Sequence, residues 1–329
     1  MAEKIKIGVL GISGHFQLRV VTGLNNSDVL EVYAVASRNI EKAKSFAQKW
    51  NIPVFYGSYQ ELLNDPDIDF IYNPLPNNLH AEWIKKAADA GKAILSEKPA
   101  ALNSKEAEEA ILYAKEKKVP VMEAFMYKFH PQWIRAKDIV KSGEIGKIKK
   151  IDIFFSYNNN DASNIRNKPE TGGGALMDIG CYAISVSRFL LDAEPEKVLM
   201  FSERDPDFKI DTFAIGTLDF GDTKSTFTIG TQMFPAQKVE VLGTKGRLVI
   251  PIPFNMYADV PAEIQVWMGI GERTINCGPV DQYTAEFEAF GKAVAEGRSV
   301  PVAPEDAINN MKVIDALFAS EKSGTWAEV

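Results

Sequence analysis

The fold of this chain is decided by residues 5–16, whose sequence is IKIGVLGISGHF. The apolar run at 5–10 predicts a buried strand, and a helical stretch follows it through Leu24. A strand that turns into a helix leaves backbone N–H groups and the positive end of the helix dipole available to a pyrophosphate. The glycine pattern is imperfect, because Ser13 and Phe16 stand where a dinucleotide-binding loop has its second and third glycines. We expect this turn to border a cofactor through Gly11, Ile12, Ser13 and Phe16.

The strand-then-helix arrangement repeats along the first third of the chain. Further apolar strands are predicted at residues 29–36, 70–73, 93–96 and 119–124. The stretches between them have helical character, and Ser58 with Glu61 and Asn103 with Glu106 have the spacing of helix N-terminal caps. Such alternation is typical of an α/β protein with a doubly wound parallel sheet. We therefore predict a dinucleotide-binding Rossmann domain over residues 1–124.

The pattern changes after about Lys147, where strands follow one another with turns between them. These strands are predicted at residues 149–157, 198–202, 213–220, 225–233, 238–242, 248–252 and 264–268. Consecutive strands joined by short turns favour a large, mostly antiparallel open sheet. We predict an α+β domain over residues 125–329 that binds substrate and mediates oligomerisation.

Composition narrows the classes of function. The chain has 329 residues, 46% of them hydrophobic and 25% charged, which is typical of a globular protein with two cores. A net charge of -7, with the basic residues scattered, argues against a nucleic-acid-binding protein such as a DNA-binding regulator. Two cysteines without paired spacing predict reduced thiols and no metal site. No signal peptide and no run of 18 apolar residues is recognised, so we expect a cytoplasmic protein without a membrane partner.

The end of the second predicted strand indicates which dinucleotide binds. An NAD-binding domain usually carries an acidic residue there for the ribose diol, whereas this chain has Ala36-Ser37-Arg38. A hydroxyl beside a guanidinium suits a ribose 2′-phosphate. We therefore predict NADP(H) as cofactor, held by Ser37 and Arg38. The alternative is that Arg38 is a solvated residue at the start of the next helix.

Three further stretches carry a resemblance to a known family. They are NPLPNNLH at residues 73–80, SEKP at 96–99 and GGGALMDIGCY at 172–182. In this order they resemble the glucose-fructose oxidoreductase and inositol dehydrogenase family (Gfo/Idh/MocA) over essentially the whole chain. The run EAFMYKFHP at 123–131, with tyrosine at 182, is more similar to the branch of dihydrodiol dehydrogenases, NADP-dependent xylose or glucose dehydrogenases and glucose-fructose oxidoreductase.

The resemblance implies roles for several residues. Leu75, Pro76, Asn77 and His80 would border the cofactor, with Glu97 and Lys98 at the nicotinamide end. His80 as a cap of the next helix is an equal alternative. Members of the family often pair through the open sheet, which agrees with our expectation of a homodimer or higher homo-oligomer, since the predicted helices cover only one face of a wide sheet.

Hydride transfer from a carbinol needs a group that takes the hydroxyl proton, shielded from water. Asp178 and Tyr182 are four residues apart on a predicted helix, so both project from one face. We assign Tyr182 as acid/base, Lys98 as its electrostatic partner and substrate anchor, and Asp178 as the group that orients substrate or Lys98. The alternatives are a structural Lys98–Asp178 ion pair and a Tyr182 that serves as a packed aromatic.

The sequence alone does not identify the substrate, and it leaves alternatives for the roles of several residues. The expected reaction is that of an aldose 1-dehydrogenase or dihydrodiol dehydrogenase acting on a sugar or diol. The same chemistry run backwards would make a ketosugar or anhydrosugar reductase, and a different class is a non-catalytic NADP(H)-binding sensor. His130 is interpreted either as a substrate contact or as a turn residue. Arg166 is interpreted as a solvated loop residue, with contact to substrate or phosphate as the alternative, and Cys181 is interpreted as packing.

Overall fold

The computed structural model describes residues 3–329, so the first two residues of the predicted Rossmann domain lie outside the described residues. The chain forms two compact units. The first comprises the chain through Met126 together with Gln282–Ile308. The second comprises Tyr127–Asp281 together with Asn309–Val329.

The first unit contains a six-stranded parallel sheet. Its strands are β1 (Ile5–Leu10), β2 (Leu30–Ala36), β3 (Val54–Tyr56), β4 (Phe70–Asn73), β5 (Ala93–Glu97) and β6 (Val121–Ala124), in the spatial order β3-β2-β1-β4-β5-β6. This order confirms the doubly wound α/β prediction. The edge strand β3 was not predicted, because three residues that are at most half-buried are too short for an apolar period.

Helices follow the strands of this sheet. They are α1 (Val21–Asn25), α2 (Ile40–Trp50), α3 (Tyr59–Leu63), α4 (Asn77–Asp89) and α5 (Ser104–Glu116). Residues 16–20, just before α1, form wider π turns. The predicted caps are present: Ser58 and Glu61 form a capping box at α3, and the Asn103 side chain accepts the Glu106 N–H at α5.

The second unit contains a nine-stranded sheet. Its strands are β7 (Ile148–Asn158), β8 (Lys197–Arg204), β9 (Asp211–Phe220), β10 (Thr223–Gly230), β11 (Gln232–Gly243), β12 (Gly246–Ile250), β13 (Glu263–Met268), β14 (Gly271–Asn276) and β15 (Ala327–Glu328). All pairings are antiparallel except β7 with β10, which confirms the mostly antiparallel prediction. The run predicted as one strand at 225–233 is divided, because β10 ends at Gly230 and β11 begins at Gln232.

Two helices of the second unit are α6 (Pro131–Lys141) and α7 (Cys181–Leu191), and π turns at residues 176–180 precede α7. The helical stretch Pro169–Leu191 is long and apolar enough to span a membrane by length and composition, although no such run was recognised in the sequence. Within its most apolar 18-residue window, 89% is buried inside the protein, which is typical of a core helix.

The C-terminal helices differ from the predicted domain division. That division placed everything after residue 124 in one domain, whereas α8 (Gln282–Ala295) belongs to the first unit. The reason is packing: Phe287 and Phe290 are fully buried and contact Phe70 of β4, with ring centroids 6.4 and 5.2 Å apart. The last long helix, α9 (Glu305–Ser323), begins in the first unit and ends in the second.

Candidate active site

The glycine loop after β1 has a backbone that only glycine adopts easily. Gly11 has a φ of +88°, and a Cβ on it would lie 3.0 Å from Leu75 Cδ2 and 3.3 Å from Tyr59 Oη. A Cβ on Gly14 would meet nothing within 4 Å, so this glycine faces open space. A phosphate could therefore approach the backbone closely at Gly14.

The start of the helix offers donors to an anion. Within residues 3–329, the backbone N–H groups of Ile12, Ser13 and Gly14 have no protein acceptor. The Ser13 hydroxyl accepts the Phe16 N–H at 3.1 Å and so caps the helix. Phe16 itself is fully buried, with its ring centroid 5.9 Å from that of Tyr72, so its side chain belongs to the core. The loop fits a pyrophosphate, while a cofactor contact by Phe16 stays a prediction.

The end of β2 presents a cation to solvent. Arg38 is exposed, whereas Ser37 is buried and its hydroxyl accepts the Asn39 N–H at 3.2 Å. Lys42 Nζ donates to the Ile12 carbonyl at 3.3 Å, which ties α2 to the glycine loop. This arrangement leaves the Arg38 guanidinium accessible to a ribose phosphate.

His80 on α4 connects two loops of the predicted cofactor site. It is fully buried, with Nδ1 2.7 Å from the Pro99 carbonyl and Nε2 2.7 Å from the Leu75 carbonyl. Burial lowers the pKa of His80, although both carbonyls favour the protonated ring. His80 therefore holds the turn at Lys98-Pro99 and the Leu75-Pro76-Asn77 segment together, and its direct contact with a cofactor stays a prediction.

Glu97 at the end of β5 is anchored from two sides. Tyr72 Oη donates to Glu97 Oε1 at 2.7 Å, and His15 Nε2 lies 3.5 Å from the same oxygen. Burial and the neighbouring carboxylate raise the pKa of Tyr72 well above its usual value, so its hydroxyl stays a donor. Glu97 is thus hydrogen-bonded to Tyr72 and lies close to His15, which follows the glycine loop.

In the second unit, the triple glycine before the predicted catalytic helix has a steric cause. A Cβ on Gly173 would clash with the Arg166 carbonyl, and one on Gly174, whose φ is +118°, would clash with the Asp211 carboxylate. The Asp211 carboxylate also accepts the Leu176 N–H at 2.6 Å. The π turns that follow place Asp178 in a segment of a kind that is frequent at functional sites.

The Asp178 carboxylate is held by two side chains. Tyr157 Oη donates to Oδ2 at 2.6 Å, and Arg166 Nε lies 3.0 Å from Oδ1. Burial and Asp178 raise the pKa of Tyr157, and Asp178 raises the pKa of Arg166. The Arg166 side chain is 37% exposed, so it is a partly solvated loop residue, and its ion pair with Asp178 was not predicted. Tyr157 was missed, because nothing in the sequence of β7 relates its last residues to a helix twenty positions later.

Tyr182 lies one turn further along the same helix, inside an aromatic enclosure. Its ring centroid is 5.1 Å from that of Phe254, 5.9 Å from that of Phe155 and 6.3 Å from that of Tyr127. The residue is 7% exposed. The ring is therefore packed, as one alternative had it, and this water-poor surrounding also suits a phenol that exchanges a proton.

His130 and Cys181 have structural contacts. His130 is buried and caps α6, since its Nδ1 accepts the Gln132 N–H at 3.1 Å. Burial lowers the pKa of His130 to about 4, so the ring is neutral at pH 7. Cys181 is a buried free thiol that donates to the Asp178 carbonyl at 3.4 Å, which agrees with packing.

The predicted site residues thus fall into two groups. The cofactor residues and Lys98 belong to the first unit, whereas Asp178, Tyr182 and Arg166 belong to the second. Within residues 3–329, no cluster of three or more His, Cys, Asp or Glu side chains could hold a metal ion. The second group combines a carboxylate, a guanidinium and a phenol, and Tyr157 adds a second phenol.

Comparison with known proteins decides the family. Residues 5–125 match the model of an oxidoreductase family with an NAD-binding Rossmann fold, and residues 133–249 match the GFO/IDH/MocA C-terminal domain. The chain belongs to the Gfo/Idh/MocA family. It is therefore an oxidoreductase, as the motifs implied.

Individual relatives match from about two thirds of the chain to nearly all of it. The chain is similar to D-xylose 1-dehydrogenase (NADP(+)) 2 of Haloferax volcanii, with 35% identity over 98% of this chain and 99% of that protein. It is also similar to the trans-1,2-dihydrobenzene-1,2-diol dehydrogenase of Xenopus tropicalis, with 34% identity over 69% of this chain and 68% of that protein.

Among solved structures, a 3-ketoreductase from Actinomadura kijaniata in complex with NADP and TDP-benzene has a TM-score of 0.91. It is 29% identical, and the match covers 97% of this chain and 98% of that one. Structures of the same reductase have been solved with a lysine changed to alanine or glutamate and with a tyrosine changed to phenylalanine.

Proposed function

We propose that this Gfo/Idh/MocA protein is an NADP-dependent oxidoreductase that transfers a hydride between nicotinamide and a CH–OH or C=O carbon of a sugar or diol. The observation that carries the proposal is Tyr182, a phenol enclosed by aromatic rings one helical turn from an ion-paired carboxylate. A similar protein, matched over 98% of this chain and 99% of its own length, is an NADP-dependent xylose dehydrogenase, which supports the substrate class.

NADP(H), when bound, supplies the hydride acceptor or donor, and the chain supplies its binding groups. The open Gly14 and the N–H groups of the glycine loop fit the pyrophosphate. The exposed Arg38, with Ser37, fits the 2′-phosphate. Leu75, Pro76, Asn77, Glu97 and Lys98 would complete the cofactor site.

The proton of the substrate hydroxyl needs its own carrier. We assign it to Tyr182, because a phenolate accepts the proton when the carbinol is oxidised and the phenol returns it when the carbonyl is reduced. An ordinary tyrosine, with a pKa of about 10, is only about 0.1% phenolate at pH 7, so a nearby cation is required. Lys98 is the proposed ammonium and substrate anchor, and Asp178 orients the substrate or this lysine. The reductase variants in the comparison change the same two residue types.

The direction of the reaction has a second candidate. The 3-ketoreductase carries NADP in a fold with a TM-score of 0.91 to this chain, which favours reduction of a ketosugar as the alternative. Both directions use the same residues in the same roles, so the substrate panel has to include both.

The test is a turnover screen with NADP⁺ and NADPH against aldoses, ketosugars, anhydrosugars and diols. We expect NADP-linked turnover of at least one polyol or ketosugar. Tight NADP(H) binding without turnover across the panel would contradict the enzyme and favour a cofactor sensor.

We also propose that the protein is a cytoplasmic homodimer or higher homo-oligomer. The free thiols Cys181 and Cys277 support a reducing compartment. For the assembly, the face of the nine-stranded sheet that carries Phe201 and Ile215 supplies the support, because these cross-strand partners are 62% and 47% exposed. Exposed apolar residues paired on a sheet face are typical of a protein–protein interface.

A further inference from the structure

We infer that Arg166 is a positioning residue that neutralises Asp178, so that the carboxylate does not prevent Tyr182 from giving up its proton. The inference rests on the proposed role of Tyr182 and adds a residue to it. It assigns the loop between β7 and α7 a function in catalysis.

The ion pair is built by the backbone as well as by the side chains. The Gly174 N–H donates to the Arg166 carbonyl at 3.0 Å, and a Cβ on Gly173 would clash with that same carbonyl. The glycine turn that starts the helix of Asp178 therefore also fixes the backbone of Arg166. Arg166 Nε then reaches Asp178 Oδ1 at 3.0 Å, and the Asp178 side chain is only 11% exposed.

The electrostatic consequence follows from the position of Tyr182. Side chains four residues apart on a helix are neighbours, so an uncompensated Asp178 charge would oppose a phenolate at Tyr182. The Arg166 guanidinium compensates that charge, and both Asp178 and, to a smaller extent, Tyr182 raise the pKa of Arg166. Neutral arginine is not accessible in proteins, so this cation is present at every working pH.

The other groups around Tyr182 in the second unit do not replace this effect. Tyr157 donates to Asp178, and Tyr127 shares a hydrogen bond of 2.8 Å with Ser185. Asp211 carries a charge of the wrong sign and is bound to the Leu176 N–H. Phe155 and Phe254 are apolar, and His130 is neutral at pH 7. In this unit, Arg166 is a cation in direct contact with Asp178.

The test is the pH dependence of kcat/KM for Arg166→Gln, Asp178→Asn and the double variant. The substrate is the panel compound that the wild type oxidises fastest with NADP⁺. Arg166→Gln should raise the kinetic pKa of the proton acceptor by about one unit and lower kcat/KM at pH 7 about tenfold, because the Asp178 carboxylate loses the guanidinium that pairs with it. Asp178→Asn should lower the kinetic pKa, because Arg166 is then unopposed. The double variant should return close to the wild-type value.

Two further variants separate charge from fold. Arg166→Lys keeps the cation and should shift the kinetic pKa by less than half as much as Arg166→Gln. Arg273→Gln is the matched control, since Arg273 pairs with Glu144 elsewhere in the second unit, and it should leave the profile unchanged. Thermal unfolding of each variant shows whether it is folded.

Shifts of the same sign in Arg166→Gln and Asp178→Asn, or a Lys variant as impaired as the Gln variant, would overturn the inference. If Arg166→Gln does not fold, the other two variants still decide the inference. Asp178→Asn should lower the kinetic pKa of the proton acceptor, whereas Arg166→Lys should not. A fully active Tyr182→Phe variant would instead contradict the proposed function, in which Tyr182 is the acid/base. Failure of the Arg166 inference and failure of the proposed function therefore give different results.

Discussion

At the scale of single residues, the sequence predicts where residues that directly follow a strand lie. It does not predict contacts between side chains that are distant in the chain. Gly11, Ser37 and Arg38 follow their strands directly, so their positions at the sheet edge could be predicted from the chain alone. Arg166 and Tyr157 could not be predicted as partners of Asp178, because their side chains meet only through the path of a long loop. His80 carried a cofactor assignment, but its ring nitrogens contact backbone carbonyls.

The exposed Arg38 leads to a prediction about cofactor choice. We expect kcat/KM to favour NADP over NAD by at least about tenfold, which is about 1.4 kcal/mol, because a guanidinium forms charge-assisted hydrogen bonds with the 2′-phosphate. Arg38→Ala should abolish most of this preference by weakening NADP binding. Arg19→Ala removes another exposed arginine, on the segment after the glycine loop, and should leave the ratio unchanged. Equal use of NAD by the wild type would refute the assignment.

At the scale of elements, the strands with regular apolar periods were predicted closely, and β1 and β4 match to the residue. β14 was not predicted, because it is mostly exposed and has no buried face to create a period. An amphipathic pattern predicts that a helix has a buried face, but not which sheet that face covers. The sequence therefore could not show that α8 belongs to the first unit.

Asp211, the first residue of β9, accepts a hydrogen bond from the start of the proposed catalytic helix and leads to a prediction about stability. Burial raises the pKa of Asp211 to about 6, whereas an unfolded aspartate titrates near 4. Between these pH values the unfolded chain binds fewer protons, so the free energy of unfolding contributed by Asp211 falls as the pH rises. The shift of about two units corresponds to about 3 kcal/mol.

Asp211→Asn removes this titration and keeps an oxygen for the Leu176 N–H. Relative to the wild type, its free energy of unfolding should therefore increase between pH 4 and pH 7, as measured by urea denaturation at several pH values. Other groups, such as the buried His130, titrate equally in both proteins and cancel in the difference. A difference that is constant with pH would show that Asp211 has no raised pKa.

At the scale of the whole molecule, the open sheet face predicts association. We expect a dimer at micromolar concentration by light scattering, because the exposed Phe201 and Ile215 are neighbours on β8 and β9. Phe201→Glu with Ile215→Glu should give a monomer, since two charges would be buried without partners. Ile270→Glu, at the exposed β13–β14 turn, is the control and should remain dimeric. A monomeric wild type would contradict the proposed interface.

The central claim is that Tyr182 exchanges the proton with the substrate oxygen. Tyr182→Phe keeps the ring and its contacts with Phe155 and Phe254, and removes only the hydroxyl. A positioned acid or base contributes about 10²- to 10⁴-fold, so kcat should fall at least about a hundredfold while the dissociation constant of NADP changes little. Lys98→Met should behave likewise and shift the pH profile of the remaining activity. The most direct measurement is single-turnover hydride transfer in Tyr182→Phe saturated with NADP⁺: a large loss of rate is expected, and a rate within a few-fold of wild type would contradict the account.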